Sequence, residues 1–181
     1  MKKIAFLGGS AWKEEDQPYK DAYDTAKLLA ECGYEIVNGG GSGVMRASTL
    51  GAKTVQGKVL AITYHPSKKK ENYEGVDKGN PFDEEIITLS YFDRTKVMLQ
   101  NTDAHIVFNG STGTISEFGM TWASSRIHEG EHKPIILLGE FWQDFLDVIK
   151  KTMYMRPGEV ELLKICTKPE EVLEYLGKVL R

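Results

Sequence analysis

Within nine residues, Asn109-Gly110-Ser111-Thr112-Gly113-Thr114-Ile115-Ser116-Glu117, the chain places three kinds of chemistry. There are glycines whose backbone a ligand can approach, hydroxyls that can donate, and one carboxylate. The apolar run Ala104 to Phe108 precedes the stretch and an amphipathic segment follows it. The spacing therefore predicts a strand that delivers a loop to a helix start, with Glu117 in the first helical turn. Such a start presents unpaired N–H groups and the positive end of the helix dipole, which suits an anion. A carboxylate beside a bound phosphate would be repelled, which points to a second task for Glu117. The plainer alternative is a capping box, with Thr112 or Thr114 as N-cap and Glu117 reaching back to Thr114.

Two further turns share this chemistry. Gly8-Gly9-Ser10 closes the apolar run Ile4 to Leu7, and a turn needing positive φ explains its glycines as well as a phosphate does. Gly39-Gly40-Gly41-Ser42-Gly43 is more demanding, because a turn needs one or two glycines rather than four in five positions. The run suits backbone lying close to a ligand. It matches neither the G-x-G-x-x-G dinucleotide fingerprint nor a P-loop, since no Gly-Lys-Ser/Thr follows. Arg94 is either a solvated helix charge or a guanidinium that reaches phosphate, and the paired anion-type loops favour the second. The four histidines show no metal-ligand spacing, and His105, inside an apolar strand, reads as a hydrogen-bonded core imidazole. Lys68-Lys69-Lys70 reads as a solvated loop face, with a phosphate-closing lid as the rival.

Stepping outward, short apolar runs alternate with helix-patterned segments along the whole chain. Strands are expected at Ile4 to Leu7, Tyr34 to Val37, Lys58 to Thr63, Glu85 to Leu89, Ala104 to Phe108, Lys133 to Gly139 and Leu162 to Cys166. Helices are expected at Pro18 to Cys32, Val44 to Val55, Phe92 to Gln100, from the Gly/Ser/Thr turn before Glu117 to about His128, Phe141 to Met153 and Pro169 to Leu180. In the third of these, Phe92, Thr95, Lys96 and Leu99 share one stripe. On the helix after Glu117, Phe118, Met120 and Trp122 suggest core or a dimer seam. The strands are continuously apolar rather than alternating, which predicts a doubly wound parallel α/β sheet covered on both faces, Rossmann-like, in a single domain spanning residues 1–181. All three small-residue turns then fall on the carboxyl edge, where such folds bind ligands. The polar stretch 65–81 is the longest without a periodic pattern and fits a lid or binding loop.

The formal charge of −3 gives no reason to expect a nucleic-acid or acidic-membrane surface. Two cysteines, Cys32 and Cys166, form neither a disulfide framework nor a zinc motif. The apolar stretch after Met1 is too short for a signal peptide, and no run approaches the ~20 residues that span a bilayer. The expectation is a soluble, cytoplasmic protein without a metal.

These motifs resemble the LOG ("lonely guy") family of cytokinin riboside 5′-monophosphate phosphoribohydrolases, often labelled lysine decarboxylase-like. The family hallmark Pro-Gly-Gly-x-Gly-Thr-x-x-Glu lines up with Asn109 to Glu117. Its Gly-Gly-Gly and Gly-(Leu/Val)-Met elements line up with Gly39-Gly40-Gly41 and Gly43-Val44-Met45, and its Arg and Met with Arg94 and Met98. Thr121-Trp122-Ala123, Ile127-His128 and Lys133-Pro134 follow in the family's order. The resemblance implies a Rossmann-like homodimer that cleaves the N-glycosidic bond of an AMP-like nucleoside 5′-monophosphate, with no cofactor. It implies Arg94 and Glu117 as the catalytic pair. The phosphate and ribose contacts would come from Gly9, Ser10, Gly40, Gly41, Ser42, Gly43, Met45, Asn109, Gly110, Ser111, Thr112, Gly113 and Thr114. Two positions depart from the pattern: Asn109 replaces the proline and Ser111 the second glycine. A serine at a position needing positive φ would strain the loop, whereas its hydroxyl could donate to the phosphate. The alternative reading is a non-catalytic nucleotide or molybdenum-cofactor carrier of the same fold. Pyridoxal chemistry is rejected, because no lysine sits in these turns and Lys96 is only the nearest.

Overall fold

The computed structural model describes residues 1–66, 75–128 and 130–180; Lys68-Lys69-Lys70 lie outside them. The elements follow the predicted alternation: β1 (Lys3–Leu7), α1 (Gln17–Glu31), β2 (Glu35–Asn38), α2 (Val44–Lys53), β3 (Val59–Tyr64), β4 (Glu84–Thr88), α3 (Tyr91–Gln100), β5 (Ala104–Val107), α4 (Thr112–Ile127), β6 (Ile135–Leu138), α5 (Phe141–Thr152), β7 (Leu163–Cys166) and α6 (Pro169–Val179).

The strands form one parallel sheet in the order β4-β3-β2-β1-β5-β6-β7. Successive strand side chains point to opposite faces, so each strand feeds two cores. On one face Ile4, Phe6, Ile36 and Ile106 pack with Ala22, Ala26 and Leu29 of α1, Ala47 of α2 and Val172 of α6. On the other, Ala5, Leu7, Val37 and Val107 meet Met98 of α3, Phe118 of α4 and Trp142 of α5. The result is the expected three-layer α/β/α Rossmann-like arrangement. Phe118 is the anchor of the second face: its ring lies 5.1 Å from that of Trp122 and 5.3 Å from that of Trp142. Burying such a side chain contributes about 2–3 kcal/mol. It fixes α4 against the sheet.

The helix pattern needs one correction. Phe92 was expected on the apolar stripe of α3 but is 77% exposed, while Thr95 and Met98 are buried. Met120 is likewise 40% exposed on α4, beside the buried Phe118. The inward faces are chosen by where the sheet lies, and a single large side chain does not choose them.

Sheet order places the site. Chain direction across the sheet reverses between β1 and β5, whose register pairs Leu7 with Val107. At that switch point the connections leave in opposite directions and a crevice opens beyond the strand ends. The turns after β1 and β5 bound it. Among the described residues, no helix is long and apolar enough to cross a membrane.

Candidate functional site

The two turns at the switch point are tied to one another through main chain. Gly9 N donates to Asn109 O at 3.0 Å, and the Trp12 indole donates to the same carbonyl at 2.8 Å. Gly110 stands where the turns cross: a Cβ there would fall 2.1 Å from Thr114 Oγ1 and 2.7 Å from Gly9 N. Asn109 acts here through its carbonyl, which a proline would also supply, so this departure leaves the crossing intact.

Ser111 precedes α4 with φ −102° and ψ −154°, ordinary extended backbone. The second departure therefore brings no strain, and the hydroxyl makes no capping bond. The first intrahelical bond runs from Ile115 N to Ser111 O. The N–H groups of Thr112, Gly113 and Thr114 thus lie in the unpaired first turn, at the positive end of a 16-residue helix. Because α4 starts at Thr112, Glu117 sits in its second turn, not its first, and the first turn holds no acid. This removes the capping box as well. The glycines and threonines enter the helix instead of forming a loop before it, which moves the carboxylate inward.

Glu117 is 6% exposed. Its Oε1 accepts from Arg94 Nη2 at 3.1 Å. Burial pushes the carboxyl above its usual range, against the opposing pull of the Arg94 charge. Arg94 is placed by the start of α3, where the Ser90 hydroxyl accepts from Asp93 N at 3.1 Å as an N-cap. Its guanidinium lies 4.9 Å from the centre of the Tyr91 ring. Tyr91 is in turn held near α4, its hydroxyl 3.2 Å from Ser116 Oγ. The buried Arg94 Nε has no hydrogen-bond partner among the described residues.

Together these groups enclose a cavity of about 430 Å³. It takes in Arg94, Glu117, Gly9, Ser10, Met45 and the stretch from Ser111 to Thr114. Gly40, Gly41, Ser42, Gly43, Asn109 and Gly110 do not line it. The Gly39–Gly43 turn is occupied by the chain itself. Asp77 N donates to Gly40 O at 3.0 Å, Asn80 Nδ2 donates to Gly41 O at 2.9 Å, and the Ser42 hydroxyl donates to Ser10 O at 2.8 Å. Gly43 has φ +60°, and a Cβ there would lie 2.3 Å from Gly9 O. So Asp77 and Asn80, within the polar stretch 65–81 that reads as a lid or binding loop, cover the second glycine turn.

The contact set implied by the resemblance left out Gly39, Tyr91, Met98 and Ser116, all of which border the cavity. A Cβ at Gly39 would fall 2.8 Å from Met45 Sδ and 3.0 Å from Arg94 Nη1, so the glycine admits both side chains. Tyr91 had a usable signal: it stands one helical turn before Arg94. His105 is the core imidazole expected, buried and bonded to Thr121 and, at 3.1 Å, Thr102.

A protein of Archaeoglobus fulgidus described as uncharacterized is 34% identical over 140 residues, covering 77% of this chain and 85% of that one. The cytokinin riboside 5′-monophosphate phosphoribohydrolase of Mycobacterium tuberculosis is 24% identical over 159 residues, covering 84% and 81%. Among solved structures, the molybdenum cofactor binding protein of Rippkaea orientalis matches with a TM-score of 0.76 at 23% identity, over 99% of this chain and 98% of that one. That match is a likeness of fold. The model of the SLOG cluster4 family matches residues 1–173, and the chain belongs to that family, within the LOG-like superfamily.

Proposed function

We propose that the protein cleaves the N-glycosidic bond of a nucleoside 5′-monophosphate, releasing free base and ribose 5-phosphate. The carrying observation is the half-buried Arg94 paired with the buried Glu117, in one cavity with the unpaired first turn of α4. The phosphate is bound by the N–H groups of Thr112 to Thr114, with the Ser111 hydroxyl beside them. Its binding energy fixes the ribose against Glu117. As the bond from C1′ to the base nitrogen breaks, its electron pair leaves with the base and positive charge builds on the ribose. Glu117, ionised and shielded from bulk water, stabilises that charge; water then adds to C1′ and its proton ends on the departed base nitrogen, giving free base and ribose 5-phosphate. Arg94 keeps Glu117 ionised against the cost of burial and orients it. Exposed Leu89 and Phe92 suit the homodimer expected of the LOG family, which sedimentation equilibrium tests.

The test is a panel of nucleoside monophosphates with released ribose 5-phosphate measured. Cleavage of at least one, lost in Glu117→Gln, is expected. If none is cleaved at high enzyme concentration, the proposal fails. The likeness to the molybdenum cofactor binding protein favours a second reading, a carrier that holds a phosphorylated ligand without turnover. Native mass spectrometry of the purified protein separates the two: a carrier retains its ligand, whereas a hydrolase arrives empty and turns over.

A further inference from the structure

At the opposite edge of the sheet lies a second cavity, of about 350 Å³. It opens where β5 begins, beside His105, and is walled by the last turns of α3 and α4 and by the approach to β6. The switch-point site lies toward the other ends of the strands, and the two cavities share no lining residue.

Its lining is cationic in a chain whose formal charge is −3. Among the described residues, Lys96 and Lys133 border it against one carboxylate, Glu131. The Lys133 ammonium is fixed, donating to Leu99 O at 2.6 Å and Gln100 O at 2.9 Å, the orphan carbonyls at the end of α3. Lys96 has no ion-pair partner among the described residues and is exposed. His132 carries a buried Nδ1 with no hydrogen-bond partner among the described residues. Such an atom is costly to leave unpaired, whichever tautomer it adopts. Ser124 and Ser125 add hydroxyls, while Leu99 and Met120 supply apolar wall.

Compact ammonium charges with hydroxyl and imidazole donors suit an oxyanion, and the apolar wall suits a short carbon body. The volume lies at the small end for ligand sites. We propose that this cleft binds a small phosphorylated metabolite, independently of the chemistry at the switch point. Lys96 and His132 are its free recognition groups, and Lys133 is a fixed positive charge.

The test uses the full chain and inorganic phosphate as the probe, followed by residue-resolved amide NMR with malonate as a parallel arm. Saturable shifts at Ser124, Ser125 and His132 are expected with phosphate. They should weaken by about tenfold or more in Lys96→Ala and in His132→Ala. Shifts at Ser111 to Thr114 should persist in both variants, which also reports that they fold. Absence of saturable shifts in the second cleft overturns the proposal, as do shifts unchanged in both variants. A response to malonate with none to phosphate overturns the phosphate assignment.

Discussion

Two glycine-rich turns stand on the same edge of the sheet and do opposite things. The Asn109–Gly113 turn lies against the Gly9 turn and opens the first N–H groups of α4 into a cavity. The Gly39–Gly43 turn lies under residues 75–82, with its carbonyls taken by Asp77 and Asn80. Both need glycine because something comes close. In one the close neighbour leaves room for a ligand, and in the other it is the chain's own backbone. Glycine density reports close approach, not what approaches.

The largest effect should fall at the open turn. Glu117→Gln keeps the shape and an acceptor for Arg94 but removes the charge, so ribose 5-phosphate release should drop by about 10²–10³-fold or more. The pH profile sharpens this. Glu117 must be ionised to work and burial raises its pKa, so activity should fall with decreasing pH at values above the ~4.5 of an ordinary glutamate. A rate loss seen only below that value would place the working carboxylate elsewhere.

Next comes a direct contrast between the turns. Gly43→Ala forces a side chain into φ +60° and onto the Gly9 carbonyl, whereas a Cβ at Gly113 meets nothing nearer than the Tyr91 hydroxyl at 3.3 Å. The first should cost about 2–4 kcal/mol of stability in urea unfolding. The second should be neutral or stabilising by about 0.5–1 kcal/mol, because alanine suits a helix better than glycine. Equal losses would erase the distinction drawn above. A smaller effect is expected at the cover itself. Asn80→Ala leaves the Gly41 carbonyl unpaired and should cost about 1–2 kcal/mol.

The parallel sheet was legible because most of its strands are short, largely apolar and separated by helical periods, a pattern with few other solutions. The crevice followed from that alternation, and the family motif singled out Arg94 and Glu117, which the fold brings within 3.1 Å of one another. What was not legible depends on contacts remote in sequence. That residues 75–82 would fill the Gly40–Ser42 backbone is set by Asp77 and Asn80, some 40 positions from the turn they bind. The helix start was placed too late because glycine and threonine read as loop, although Ser111 can sit extended and hand the chain straight into α4. Phe92 misled because size was taken for burial.

The smallest predicted effect settles what Ser111 contributes to the open turn. With φ −102° its backbone asks nothing of glycine, so restoring the family residue in Ser111→Gly should cost only about 0.5 kcal/mol, mostly through a looser unfolded chain. Any larger change must come from the hydroxyl, which is free of capping bonds and borders the cavity. If it donates to phosphate, the variant should bind a nucleoside monophosphate about 2–10-fold more weakly, the worth of one neutral hydrogen bond. An unchanged affinity would assign anion binding to the α4 N–H groups alone. The serine would then be a tolerated replacement at a position whose chemistry is carried by the backbone.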